Sequence, residues 1–479
     1  MSSLKKNIIY NVLYQILVLI VPIVTIPYVS RVLGADGVGT YSYTYSIVYY
    51  FMIMSLLGIN NYGNRTIAKT RDDNETMAKK FWNIYCIQFL MSLIMIIIYV
   101  FYLLFFDIQY KTIAYIQILF IFSSMFDINW FFFGLEEFKL TITRSSLLKI
   151  LTLVFIFLTV KTKNDLWKYT LIMSASTLVS QLILWPFLLK RIKFIKSINF
   201  KELKSCIKPC IVLFIPVIAV SLYKIMDKVM LGCLVNVTEL GFYEQAEKII
   251  SVPGAIITAL GTVMLPRISN LVSKKDMKQA LMYIEKSINI MMFLAFPMMF
   301  GIIAVAKDFI PIFLGNGFTK SVILMDLLSV TIIFSSFANV IRTEYLLPNE
   351  KDKVYIVSVV GGAIINLIAN LLLIPKYMGI GACIGTIFAE FFVFLIQAYF
   401  VRKEIPIMHY IKSVMPFFIK SIFMFIIIYS LNFLDFNVYF KIFTQIVIGF
   451  TIYALLNRKY ILMVIDFKKI KNKLSKNES

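Results

Sequence analysis

Residues Ser30 to Tyr41 read SRVLGADGVGTY, with glycines at 34, 37 and 39. A glycine-rich run of this kind can cradle phosphate. It should then follow a strand and open a helix, and the nucleotide-binding form ends in Gly-Lys-Ser/Thr. Here the run follows Ile8 to Val29, a predominantly apolar stretch long enough to cross a bilayer as a helix. No Gly-Lys-Ser/Thr ending occurs anywhere in the chain. The nearest approach, GNGFTKS from Gly315 to Ser321, lacks the glycine before Lys320. The glycines therefore need another explanation.

Working outward, the apolar character does not stop at Val29. The chain has 479 residues, of which 60% are hydrophobic and only 15% charged, whereas a soluble domain is about half apolar and about a quarter charged. Apolar runs recur near 8–29, 40–62, 81–104, 112–133, 146–160, 168–189, 209–233, 245–266, 284–306, 322–346, 354–374, 380–400, 413–432 and 438–457. This predicts an all-α polytopic membrane protein of about 14 transmembrane helices. The first run is too long for a signal-peptide core and lacks a small-x-small cleavage site, so it is read as the first span.

The net charge of +22 has a topological reading. With the N-terminus inside, the inner segments hold 36 Lys and Arg and the outer segments nine, the remaining three falling in or near spans. Cytoplasmic loops are enriched in these residues, so both termini are expected in the cytoplasm, with a basic tail from Arg458. The most basic segment, KRIKFIKSINFKELKSCIK from Lys190 to Lys208, is then a cytosolic loop at anionic headgroups and no nucleic-acid site. Five cysteines and a single histidine, His409, form no ligand cluster, so neither metal nor cofactor is expected.

The opening stretch has a partner. Leu33-Gly34 followed by Gly39-Thr40-Tyr41 is matched by Leu231-Gly232 followed by Gly241-Phe242-Tyr243, and Tyr41 to Arg65 spans the same distance as Tyr243 to Arg267. The offset is 202 residues and six spans separate the copies, so both run the same way through the membrane. That predicts two six-helix lobes in parallel repeat, residues 1–200 and 201–405, followed by spans 13 and 14 and the tail in 406–479. Such repeats are known in secondary transporters. The glycines would make a tight hairpin loop between spans 1 and 2 and permit close helix packing.

The stretch from Ile26 to Asp73, IPYVSRVLGADGVGTYSYTYSIVYYFMIMSLLGINNYGNRTIAKTRDD, resembles the opening of the Wzx-type polysaccharide-repeat-unit flippases of the MOP superfamily. That superfamily also contains the MATE exporters and the lipid II flippase. The Pro-Tyr-x-x-Arg-x-Leu-Gly element and the Gly-Asn-Arg close of span 2 carry the resemblance. It implies a protein of the bacterial plasma membrane that is no enzyme. Its work would be to move an undecaprenyl-diphosphate-linked oligosaccharide from the inner to the outer leaflet by alternating access. Its partners would be membrane lipids, a polymerase and other polysaccharide-assembly proteins.

Ionisable groups inside spans are costly and mark function. In span 7, Lys224, Asp227 and Lys228 fall on one helical face, with a summed charge of +1 that suits a diphosphate. Arg31 lies in the family element, and Lys248 opens span 8 one turn beyond Glu244, with which it could form a plain intrahelical pair. These five are the substrate-binding candidates. Asp127, Asp326 and Glu390 are isolated acids in apolar spans. Each could bind a coupling proton or sodium ion, and each could equally cap a neighbouring helix. The aromatic run DINWFFFG from Asp127 to Gly134 reads as lipid or interface contact. Two other functions compete. A MATE-like drug exporter would favour acidic cavity groups over lysines. A membrane glycosyltransferase or polymerase would need an extramembrane domain with catalytic carboxylates, and every outer loop is short.

Overall fold

The structure is a computed structural model that describes residues 3–106, 109–193 and 200–463. Residues 194–199 of the basic inner loop and the basic tail beyond residue 463 lie outside the described residues. All regular structure among the described residues is helical. In chain order the helices are α1 (Ser3–Leu56), α2 (Ile59–Thr70), α3 (Asn74–Phe105), α4 (Lys111–Met125), α5 (Asn129–Gly134), α6 (Phe138–Thr159), α7 (Leu166–Leu182) and α8 (Trp185–Leu189). They continue with α9 (Phe200–Leu234), α10 (Val237–Ser273), α11 (Met277–Leu314), α12 (Lys320–Ser329), α13 (Thr331–Val340), α14 (Asp352–Val401), α15 (Ile407–Ser430) and α16 (Val438–Leu456).

Twelve helical segments are long and apolar enough to cross a membrane. Two of them run 51 and 50 residues, more than twice the roughly 20 residues a single crossing takes. The first is broken by non-helical backbone at Gly34 (φ 69°, ψ 178°) and, near its far end, at Leu57 and Gly58, and the second at Met378 (φ 52°, ψ −128°). Counting each as two crossings brings twelve to fourteen. Large apolar side chains face outward in quantity, with Phe105, Phe433 and Phe450 each more than three-quarters exposed. In water such a surface would aggregate; against lipid it is the stable arrangement.

The chain forms two compact units. The first comprises Met1–Glu244 with Asn370–Ala382, the second Gln245–Ala369 with Cys383–Ser479. In the first unit, α9 packs on α1, α2 and α3. Its core is aromatic: Phe81, Trp130, Phe131 and Phe132 are fully buried. The Trp130 indole donates to Gln88 Oε1 at 3.0 Å. The run from Asp127 to Gly134 is thus core and not a lipid belt, because Gly63 and Gly134 let α2 and α5 close over it, with only Phe133 directed outward. Helix α3 begins at Asn74 because the Asp73 carboxylate accepts from the amides of Glu75 (3.0 Å) and Thr76 (3.3 Å), which satisfies two otherwise orphaned donors.

The glycine-rich stretch departs from the loop expected for it. Helix resumes at Ala35, so the turn between spans 1 and 2 is made by Gly34 alone, in the positive-φ region that only glycine enters without strain. Gly39 lies inside the following helix and serves a different purpose, close approach.

Candidate functional site

The approach made at Gly39 is reciprocal. A Cβ on Gly39 would lie 1.6 Å from the Val237 carbonyl oxygen, and a Cβ on Gly241 would lie 2.0 Å from the Ala35 carbonyl oxygen. Ala35 and Val237 are 202 residues apart, as are Gly39 and Gly241. Hydrogen bonds repeat the interval. The Thr238 hydroxyl donates to Asp36 Oδ1 at 3.3 Å, and the Ser42 hydroxyl donates to Glu244 Oε2 at 2.8 Å. Asp36 and Ser42 therefore meet their own counterparts in the other copy, and the Gly39–Val237 contact is the counterpart of the Gly241–Ala35 contact. That pairing is what two helices related by a two-fold axis produce where they cross.

Buried polar chemistry gathers beside the crossing. Lys228 Nζ pairs with Glu244 Oε2 at 2.8 Å, with side chains 14% and 7% exposed. Asp227, one residue earlier on α9 and 3% exposed, accepts from the Tyr243 hydroxyl at 2.9 Å and from Asn370 Nδ2 at 2.6 Å. Spans 2, 7, 8 and 11 thus each contribute a polar group to one cluster in the first unit. Lys224 lies one turn away, exposed, with no ion pair among the described residues.

The three span-7 residues are therefore together, and two of them are already engaged. The local sum changes as a result. Glu244, read in the sequence as a partner for Lys248 on its own helix, pairs across to Lys228. Lys224, Asp227, Lys228 and Glu244 then sum to zero, not +1. The intrahelical expectation missed this because it considered neighbours along one helix, whereas α9 ends at Leu234 and α10 begins at Val237, so the short turn between them lays the two helices side by side and puts Glu244 within ion-pair reach of Lys228. Lys248 is half-buried and belongs to the second unit; Arg31 is exposed.

Asp127 accepts from the backbone amide (2.9 Å) and side-chain amide (2.7 Å) of Asn129. That is a cap on α5, the alternative the sequence left open for it. Asn129 in turn holds Arg144 Nη2 at 2.9 Å. In the second unit, Asp326 and Glu390 are half-buried, and Asp326 Oδ1 lacks a hydrogen-bond partner among the described residues.

The sequence reading passed over Glu344. It is 0% exposed and neither of its carboxylate oxygens has a hydrogen-bond partner among the described residues. It sits in a π-helical turn, Ile341–Leu346, a feature that concentrates at functional positions. It falls at the inner end of the run 322–346, two residues after Arg342, and was not singled out there. The available signal was a lone acid within the apolar frame VIRTEYLL.

These features define a class: a multi-helix membrane transporter built from paired repeats. The chain can be superposed on the solved structure titled "Lipid II flippase MurJ, inward closed conformation" with a TM-score of 0.79 at 18% identity, covering 95% of this chain and all of that one. It also matches an inward-facing MATE-family multidrug transporter of the MOP superfamily, with a TM-score of 0.57 at 13% identity over 80% of this chain and 98% of that one. The fold is the MurJ/MATE fold.

The family described as "Polysaccharide biosynthesis protein" matches residues 4–272, and the chain belongs to it. A relative in Escherichia coli (strain K12), named "Putative O-antigen transporter", is 24% identical over 409 residues, which cover 84% of this chain and 97% of that protein.

Proposed function

We propose that this protein moves an undecaprenyl-diphosphate-linked oligosaccharide from the inner to the outer leaflet of the plasma membrane by alternating access, with both termini in the cytoplasm. The rocking bodies would be the lobes 1–200 and 201–405, and residues 406–479 would ride outside them. The flippase fold, the family and the relative's name support the class of cargo. The observation that carries the mechanism is the buried Lys228–Glu244 pair at the crossing of the two repeat copies.

An alternating-access rotation changes how the repeats meet, and this crossing is where they touch residue for counterpart. Lys224, exposed and without an ion pair among the described residues, makes the first contact with the diphosphate. Lys228 then exchanges Glu244 for phosphate oxygen, which loosens the crossing only when cargo is present. Asp227, held by Tyr243 and Asn370, keeps the α9 face in register. Outward movement of a negative headgroup is downhill by about 2.3 kcal/mol per charge per 100 mV of inside-negative potential, so ATP is unnecessary. Coupling to a proton or cation falls to the second unit, where Glu344 joins Asp326 and Glu390 as a carboxylate whose neutralisation would be felt.

The test is transport of lipid-linked repeat units by purified protein in proteoliposomes. Lys224→Gln is expected to cut flipping about tenfold or more, as befits loss of a charge-assisted phosphate contact, at unchanged protein level. Lys412→Gln, in a solvated inner segment, should change little. Full transport by the combined Lys224→Gln, Lys228→Gln and Glu244→Gln protein would sink the site assignment.

A further inference from the structure

A second basic feature lies in the first unit, at the end of α2 and the start of α9. Gly58 brings the two helices together there: a Cβ on it would lie 2.5 Å from the Cys210 carbonyl oxygen. Immediately beyond this contact is a cavity of about 550 Å³, within the roughly 300–1,000 Å³ of small-ligand pockets. Tyr62, Arg65, Thr66 and Lys69 line it from α2, at the i, i+3, i+4, i+7 spacing of one helical face. Lys208 faces them from α9.

Three cations and no carboxylate line this cavity. Three other cations of the same unit are matched: Arg71 with Glu136 at 3.0 Å, Lys79 with Glu75 at 2.7 Å and Lys80 with Glu202 at 3.4 Å. Arg65, Lys69 and Lys208 have no ion pair among the described residues. Three like charges held around one space repel, and an anion between them removes the repulsion. A phosphoryl group carries about −1.5 to −2 and accepts several charge-assisted hydrogen bonds. The planar Arg65 fork and two lysine ammonium groups supply the donors such a group needs.

The opposite wall decides what carries the phosphate. Pro209, Val212 and Leu213 of α9 close the cavity with apolar surface. The wall continues along α9 as Ile211, Val212 and Ile215, exposed by 44%, 57% and 51%. On a membrane-crossing helix such residues meet hydrocarbon. A ligand fitting both parts has an anionic head and an apolar chain.

We propose that this cavity binds the phosphate or diphosphate headgroup of a membrane lipid, and that it is the station where lipid-linked cargo docks on the cytoplasmic side before reaching the Lys224–Lys228 cluster. The first half stands on the cavity alone; the second rests on the flippase reading. The hydroxyls of Tyr62 and Thr66 add neutral donors near the head, and the sugar stays in the aqueous mouth. Binding should weaken with salt, because the three cations are exposed and screened.

The experiment uses full-length purified protein in detergent, titrated calorimetrically with farnesyl diphosphate, inorganic pyrophosphate and farnesol. Farnesyl diphosphate should bind tightest. Arg65→Gln/Lys69→Gln/Lys208→Gln should weaken it about tenfold or more, and Arg65→Lys/Lys69→Arg/Lys208→Arg should retain it, since charge-assisted contacts are what is removed and kept. Equal affinity for pyrophosphate would reject a lipid source in favour of free phosphate. Equal affinity for farnesol, or unchanged binding by the glutamine triple, would overturn the site altogether. Glycan export by cells carrying each variant separates the two halves. Lost binding with lost export supports both. Lost binding with normal export removes the docking role and leaves the cavity. Wild-type protein that binds but exports nothing defeats the flippase reading alone.

Discussion

The start of span 2 and the start of α10 have the same backbone relation to one another and opposite chemistry. Between Thr40 and Ser46 the first copy presents hydroxyls: Thr40, Ser42, Thr44 and Ser46, all buried. The second presents Glu239 and Glu244, both buried, then Glu247 and Lys248. Gly39 and Gly241 each let a helix close onto a carbonyl of the other, with ideal Cβ positions 1.6 Å and 2.0 Å from the oxygens. Where shape must match, the copies remain alike; where charge acts, they have separated. The first copy's hydroxyls serve their own helix, with Thr44 donating to Thr40 O at 2.9 Å and Ser46 to Ser42 O at 2.7 Å. Ser42 is the one that reaches across to the acid. Repeat symmetry at this crossing thus supplies the frame, and its local breaking supplies the ion pair.

The largest effect should come from breaking what the copies share. Gly39→Ala puts a methyl group into a backbone carbonyl that has no flexible end to give way, and Gly241→Ala does the same from the other side. Each is expected to cost about 3 kcal/mol or more, the upper end for overpacking, and to reduce folded protein recovered by size-exclusion chromatography. The symmetry adds a sharper test. Once one methyl has opened the crossing the second has little left to displace, so the double variant should cost clearly less than the sum. Additive losses would show that the glycines act in separate places.

The next effect concerns what the copies do not share. Lys228→Gln leaves the Glu244 carboxylate buried without its ammonium partner, and losing one side of a buried pair costs about 3–5 kcal/mol. Removing both charges in Lys228→Gln/Glu244→Gln should recover most of that stability, because the desolvated charge has gone. Transport should not recover, since the switch has gone with it. Thermal unfolding read beside proteoliposome flipping checks this. A double variant that transports normally would reduce the pair to packing.

Much of this was legible in sequence, and the limits have physical causes. The spans were readable because apolar length acts residue by residue. The 202-residue offset was readable from glycines and tyrosines, and Ala35–Val237, Asp36–Thr238, Gly39–Gly241 and Ser42–Glu244 are its three-dimensional form. Two misreadings share one origin. Trp130, Phe131 and Phe132 looked like an aromatic belt, and Glu244 looked like a partner for Lys248, because one-dimensional reading assigns a side chain to its own helix or to lipid. A second helix overrides both, brought close by Gly63 at Trp130 and by the short turn from α9 to α10 at Glu244. Glu344 was missed for a different reason. It lies at the charged inner end of its span, beside Arg342, and the π-helical turn that holds it has no simple residue signature.

The smallest effect sharpens the comparison most finely. Ser42→Ala removes the first copy's hydroxyl hydrogen bond to Glu244 (2.8 Å), while Lys228 still holds the same oxygen at 2.8 Å. Interhelical hydrogen bonds in membranes contribute about 0.6–1.7 kcal/mol, so Ser42→Ala alone should lower stability by roughly 1 kcal/mol and leave flipping near normal. In a Lys228→Gln background the carboxylate has lost its ammonium partner and leans more on the hydroxyl. There Ser42→Ala should cost more than it does alone, by about 1 kcal/mol. The difference between the two costs measures how far Ser42 and Lys228 share one job. If Ser42→Ala costs the same in both backgrounds, the hydroxyl is an independent helix contact, and the symmetric position of Ser42 opposite Glu244 has no bearing on the switch.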